Sequence, residues 1–185
     1  MAVRFAAALL GLVSTFGASS PLSAKGRMIR IEISGGTLIS PLQITDEQRL
    51  EEFVFWDGPG NNGVRLENAE RGSIIDWKTG IVAQHPADPQ RYEVSFYWMG
   101  CPTRTPGDCG DGVPVLAYVV FYEYDASSKR GFVYLPDEDA PRGHGGMNSG
   151  TIYRGPGVAG HWFRATTSWA EFVGPLVGKA PHRSH

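Results

Sequence analysis

Residues 91–136 constrain this chain more than any other stretch. They read RYEVSFYWMG, a loop bracketed by Cys101 and Cys109, VPVLAYVVFYEYD, a short polar turn and RGFVYLP. From 115 to 121 every residue is apolar or tyrosine, and Glu123 is the first charge after them. Such a run is too short and too rich in β-branched and aromatic side chains for a buried helix. It predicts a strand covered on both faces, the middle one of three consecutive antiparallel strands. Ordering its backbone costs about 1–2 kcal/mol per residue, which one covered face would offset poorly.

Setting Gly100 opposite Val113 pairs Trp98 with Val115, Phe96 with Ala117, Val94 with Val119 and Tyr92 with Phe121. All eight are apolar or aromatic, so this register sends one complete face into the core. The other face then carries Glu93, Ser95, Tyr97, Leu116, Tyr118, Tyr122 and Tyr124, extended across the second turn by Val133 and Leu135. A tyrosine ring with its polar tip suits a half-wet binding surface or a core layer beneath a helix. Tyr97, Tyr118, Tyr122 and Tyr124 are therefore the ligand-binding candidates, with a helix packed over them as the competing expectation.

A length of 185 residues with 42% hydrophobic content fits one domain with a real core. Residues 1–24 stand apart: Arg4, an apolar run over 5–16, then small residues and Pro21 leading to Ala24. This pattern predicts a secretory signal peptide cut after Ala24, with Ala18 as the second candidate. The apolar run is short for a bilayer span, and the mature chain is expected to hold no transmembrane segment. Loss of Arg4 leaves 16 cationic against 19 acidic side chains, which argues against non-specific nucleic-acid binding. The globular domain is placed at 25–177 and a flexible tail at 178–185. In an oxidising compartment the only two cysteines, Cys101 and Cys109, are expected to pair and staple their loop, contributing about 2–3 kcal/mol. Their spacing matches neither a CxxC redox motif nor a common zinc pattern.

Along the rest of the chain, 28–34 alternates, with Ile29, Ile31 and Ile33 on one side and Arg30, Glu32 and Ser34 on the other. Residues 38–44 predict a second strand that Pro41 confines to an edge. Thr45 and Gln48 form a capping-box pattern before a helix carrying Leu50, Phe53 and Val54, which Gly58 and Pro59 end. The glycine- and asparagine-rich loop at 57–63 lacks the lysine and spacing of a phosphate loop. Short strands are expected at 73–77, 151–153 and 161–164, a prolyl turn at 85–89, and a hairpin over 124–132 in which Gly131 supplies a positive φ. Ser168 and Glu171 suggest a second capping box, on a helix that Gly174 and Pro175 shorten or kink. The sum is an α+β fold, mostly antiparallel β-sheet with two short helices.

Few residues suggest chemistry. Asp137, Glu138 and Asp139 offer oxygen ligands for calcium, yet the loop lacks the order of an EF-hand, and the reading is of solvated acids and no cofactor. His144 and His161, with Asp76 or Glu93, would make a metal or acid–base site if their strands were neighbours. No HExxH or GxSxG motif supports such a site. Arg154 and Arg164 suit either an anion or a strand surface.

The succession of ISGG, WDGPG, RYEVSFYW, YVVFYEYD with FVYLP, TIYRG and WFR resembles a group of exported bacterial proteins of unknown function. The resemblance implies a single domain in the periplasm or secreted, and it carries no functional residue. The expectation is a non-enzymatic binding or interaction module, its partner an unknown ligand or an envelope protein. The alternatives are a small metal-dependent or acid–base hydrolase in the cell envelope and a purely structural envelope protein.

Overall fold

Six strands form one antiparallel sheet: β1 (Arg27–Gly35), β2 (Leu42–Ile44), β3 (Gln90–Met99), β4 (Pro114–Asp125), β5 (Arg130–Leu135) and β6 (His161–Arg164), in the order β2-β1-β3-β4-β5-β6. Helix α1 (Glu47–Glu52) follows β2, and α2 (Thr167–Lys179) follows β6. The computed structural model describes residues 27–53, 74–83, 90–99, 114–137, 139–140 and 159–179. The α+β, mostly antiparallel fold expected from the sequence is the fold observed, with β3, β4 and β5 as consecutive neighbours. The signal peptide expected at 1–24, both cysteines, Glu138, His144, Arg154, the loop at 57–63, the turn expected at 85–89, the strand expected at 151–153 and residues 180–185 lie outside the described residues.

β3 alternates without interruption. Tyr92, Val94, Phe96 and Trp98 enter the core, while Glu93, Ser95 and Tyr97 face the other way. Each neighbouring strand carries a one-residue irregularity beside Tyr97. On β1 the pairing skips Ile29, so Met28 and not Ile29 joins Ile31 and Ile33 in the core. On β4 it skips Ala117. The register expected next to the loop holds, with Trp98 opposite Val115, but beyond Ala117 it shifts by one. Phe96 then meets Tyr118, Val94 meets Val120 and Tyr92 meets Tyr122. A single inserted residue exchanges the two faces of everything that follows it. Tyr118 and Tyr122 are thereby turned into the core, away from Tyr97.

β4 is buried on both faces, as its composition requires: Tyr118 and Tyr122 on one side, Val119 and Glu123 on the other. Over the first side lie α2, through Trp169, Val173 and Val177, and α1, through Leu50 with Phe53 just beyond it. Trp169 meets the edge of Phe53 at 5.0 Å and of Tyr122 at 6.1 Å.

Local signals place both helices, at shifted boundaries. Asp46, not Thr45, caps α1, its carboxylate accepting the Arg49 N–H at 3.0 Å, and the helix closes at Phe53. Thr166, not Ser168, caps α2, its hydroxyl accepting the Trp169 N–H at 3.3 Å. α2 runs through Pro175 to Lys179, into the stretch expected to be a tail. Gly174 makes this passage tolerable, since a residue before proline clashes partly through its Cβ. A Cβ there would also meet the Tyr124 ring, 2.5 Å from Cζ.

The hairpin turn differs in the same instructive way. Lys129, not Gly131, carries the positive φ, at 53°, a conformation that costs an L-residue roughly 1–2 kcal/mol. Gly131 lies within β5, where its missing Cβ leaves room for the Tyr122 hydroxyl and ring. A Cβ built on Gly131 would stand 2.5 Å from Tyr122 Oη and 2.6 Å from Cε2. Gly131→Ala is expected to cost about 1–3 kcal/mol in urea unfolding through overpacking. Tyr122→Phe should be near neutral, since the hydroxyl it deletes is buried and has no hydrogen-bond partner. A neutral Gly131→Ala would contradict this packing.

The 73–77 strand expected from sequence is reduced to isolated bridges. Ile75 pairs with Ala165 and Ile81 with Phe163, so the segment follows the outer edge of β6 irregularly. Trp77 anchors it, its ring 5.1 Å from Phe163.

Candidate functional site

β5 and β6 pair with Phe132 opposite Arg164. The start of β5 and the end of β6 therefore lie side by side, and the Asp76 N–H donates to the Arg164 carbonyl at 2.8 Å to bring the 74–83 segment alongside. A groove of about 510 Å³ opens there. Lys78, Lys129, Arg130 and Arg164 line it, with Thr167 and Ser168 from the first turn of α2.

Two carboxylates adjoin these cations, and each is engaged by its own turn. Asp125 stands opposite Arg130 in the ladder. Its oxygens accept instead from the Ser127 amide and hydroxyl at 2.9 and 2.6 Å, and from the Ser128 hydroxyl at 2.5 Å. These bonds, the Ser127 hydroxyl foremost, hold its pKa at about 2, below the ordinary aspartate value. Asp76 accepts from the Lys78 and Thr79 amides at 3.1 and 3.2 Å and from the Thr79 hydroxyl at 2.5 Å. Among the described residues, no ion pair engages Lys129, Arg130 or Arg164. α2 brings no acidic residue in its first turn to offset them.

Behind the groove lies Tyr122. Its hydroxyl ends against Gly131, one of the lining residues, and makes no hydrogen bond. Burial first, then the neighbouring Tyr124 and Tyr92, pushes this phenol far above its ordinary range, so it stays protonated.

The residues singled out by sequence are dispersed. Tyr118, Tyr122 and Tyr124 share the core face, whereas Tyr97 lies on the opposite face beneath the Arg30 guanidinium, 4.0 Å from its ring centre. The four tyrosines thus form no common surface. Glu93 also lies on that opposite face, next to Phe121. His161 pairs with Leu135 on the core side, and its Nδ1 is 2.8 Å from the Ala159 carbonyl. The sheet therefore separates His161 from Glu93, and Asp76 serves its turn. Asp137 follows β5 beside Gly160, and its charge, after burial, helps raise the Tyr134 phenol. Among the described residues, no group of three His, Cys, Asp or Glu gathers at Asp137, Asp139 or elsewhere. No helix among them is long and apolar enough to cross a membrane.

The opposite face carries a second polar element. Arg91 places Nε and Nη2 2.9 and 2.8 Å from Glu123 Oε1, and its guanidinium lies 5.4 Å from the Trp162 ring. Phe121, Tyr134 and Trp162 follow one another across three strands, with ring centres 6.2 and 5.1 Å apart.

No protein-family model, no curated protein and no solved structure matches this chain. A fold does not fix a function, so the chemistry of the site must carry it. Of the groove's cations, the sequence alone points only to Arg164. Lys129 ends the hairpin turn and Arg130 opens β5, where a basic pair ordinarily means a solvated surface, and the strand pairing that joins them to Arg164 is a long-range fact.

Proposed function

We propose that this protein is an exported, non-enzymatic binding module, and that its ligand carries negative charge and sits in the groove beside the start of α2. The observation that carries this reading is the set of three cations, Lys129, Arg130 and Arg164, that line one groove with no ion pair among the described residues. The chain as a whole has a formal charge of −2, so a local excess of cations stands out against an acidic background. Focused charge of this kind raises the local concentration of an anion and its rate of capture. Arginine supplies a planar fork of donors and lysine a point charge, two complementary ways of meeting oxygen ligands. Export rests on the leader pattern of residues 1–24 and on the resemblance drawn from the sequence.

Thermal unfolding of the mature, oxidised protein tests the reading. Inorganic pyrophosphate should raise the melting temperature above that in sodium chloride of equal ionic strength. Saturation to about a hundred times the dissociation constant stabilises by roughly 2.7 kcal/mol. The R130A/R164A variant should lose the rise. Equal melting in both salts for the unaltered protein would contradict an anion site.

A further inference from the structure

We infer that the group bound in this groove is a phosphate monoester dianion, and that Lys129 is held in its left-handed conformation as a specificity-determining residue for it. The inference rests on the anion-binding reading above. Three cations, from the hairpin turn, β5 and β6, line the cavity; Asp76 lines it too, with its carboxylate bonded within its own turn, as that of Asp125 is in the hairpin. Lys78, Lys129, Arg130 and Arg164 against Asp76 and Asp125 leave a net of two positive charges, 4 − 2, of which a singly charged carboxylate would compensate half. A phosphate ester brings nearly two charges and three strong acceptor oxygens. Thr167 lines the same space and its hydroxyl can donate to an oxygen that the cations do not reach, whereas the Ser168 hydroxyl donates to Thr166 Oγ1 at 3.3 Å.

Lys129 adds an independent observation. It is the sole non-glycine residue with positive φ among the described residues, at a turn position where glycine or asparagine is the unstrained choice. The turn does not need the lysine side chain: Asp125, Ser127 and Ser128 close it. Strain kept at a cavity wall points to what the side chain does there. Glycine at this place would relieve the backbone and remove one of the three cations.

Calorimetric titration of the mature protein with inorganic phosphate, at mildly alkaline pH where it is mainly the dianion, provides the test. Acetate at matched ionic strength is the control. Phosphate should bind and acetate should not. K129G should melt about 1–3 °C higher and bind phosphate roughly two- to fivefold more weakly, the scale of one exposed charge pair. K129R should keep the affinity. Glycerol 3-phosphate and vesicles carrying phosphatidic acid separate a free ester from a lipid headgroup, and binding of either supports the inference. If phosphate binds and K129G binds it equally well, the role of Lys129 is overturned while the groove remains an anion site. Acetate binding as tightly as phosphate overturns the phosphate class. If no anion binds the unaltered protein, the underlying binding reading falls with it.

Discussion

Trp169→Ala is expected to cost about 3–5 kcal/mol in urea unfolding, the largest effect of any single change considered. Trp169 is completely buried and lies where both helices meet the sheet, against Phe53 at 5.0 Å, Tyr122 at 6.1 Å and Phe172 at 6.4 Å. Truncation would remove one of the contacts by which α2 holds α1, leaving the stack of Phe172 on Phe53 at 5.0 Å, and would leave a cavity that neither helix can close without moving. Trp169→Phe should cost much less. It keeps an aromatic ring in place, and the indole N–H it deletes is buried and has no hydrogen-bond partner. If the two variants lose equal stability, the ring contacts do not hold the layers together.

Arg91→Ala should cost about 2–4 kcal/mol, although its side chain is 59% exposed. The reason lies in its partner: Glu123 is 1% exposed, and removing the guanidinium would leave a buried carboxylate with much of its compensation gone. The Glu123→Gln change in the Arg91→Ala background should recover part of the loss, because it removes the charge that the first change exposes. A double-mutant cycle by urea unfolding measures the coupling. Additive losses would mean that the pair is a surface contact only. The same arginine lies over Trp162, so some of the loss will persist in the double variant.

The sequence carried the central sheet because β3 alternates cleanly and because β4 is apolar on both sides. That second property also hid the register. With both sides of β4 apolar, hydrophobic pattern alone cannot decide whether Phe121 or Tyr122 stands opposite Tyr92, and one skipped residue at Ala117 chose the latter. Ile29 was misplaced for a similar reason, since alternation has no signature for a bulge. Gly174 and Pro175 suggest a short or kinked helix, but packing over the sheet outweighs one missing hydrogen bond when glycine precedes the proline.

The candidate site was barely legible. Its cations come from positions 78, 129, 130 and 164, and only the β5–β6 pairing makes neighbours of them. Asp125 would have seemed a natural partner for Arg130. Two serines, at Ser127 and Ser128, take that carboxylate instead, a local competition that charge counting along the chain does not reveal.

The most direct test of an anion site in this groove is a two-dimensional amide spectrum of the protein recorded through an inorganic phosphate titration. The account predicts saturable shifts concentrated at Lys129, Arg130 and Gly131, at Arg164 through Ser168, and at Lys78, with β1 and β2 unmoved. Shifts scattered over the surface without saturation, or centred on Arg30 and Tyr97 across the sheet, would contradict it.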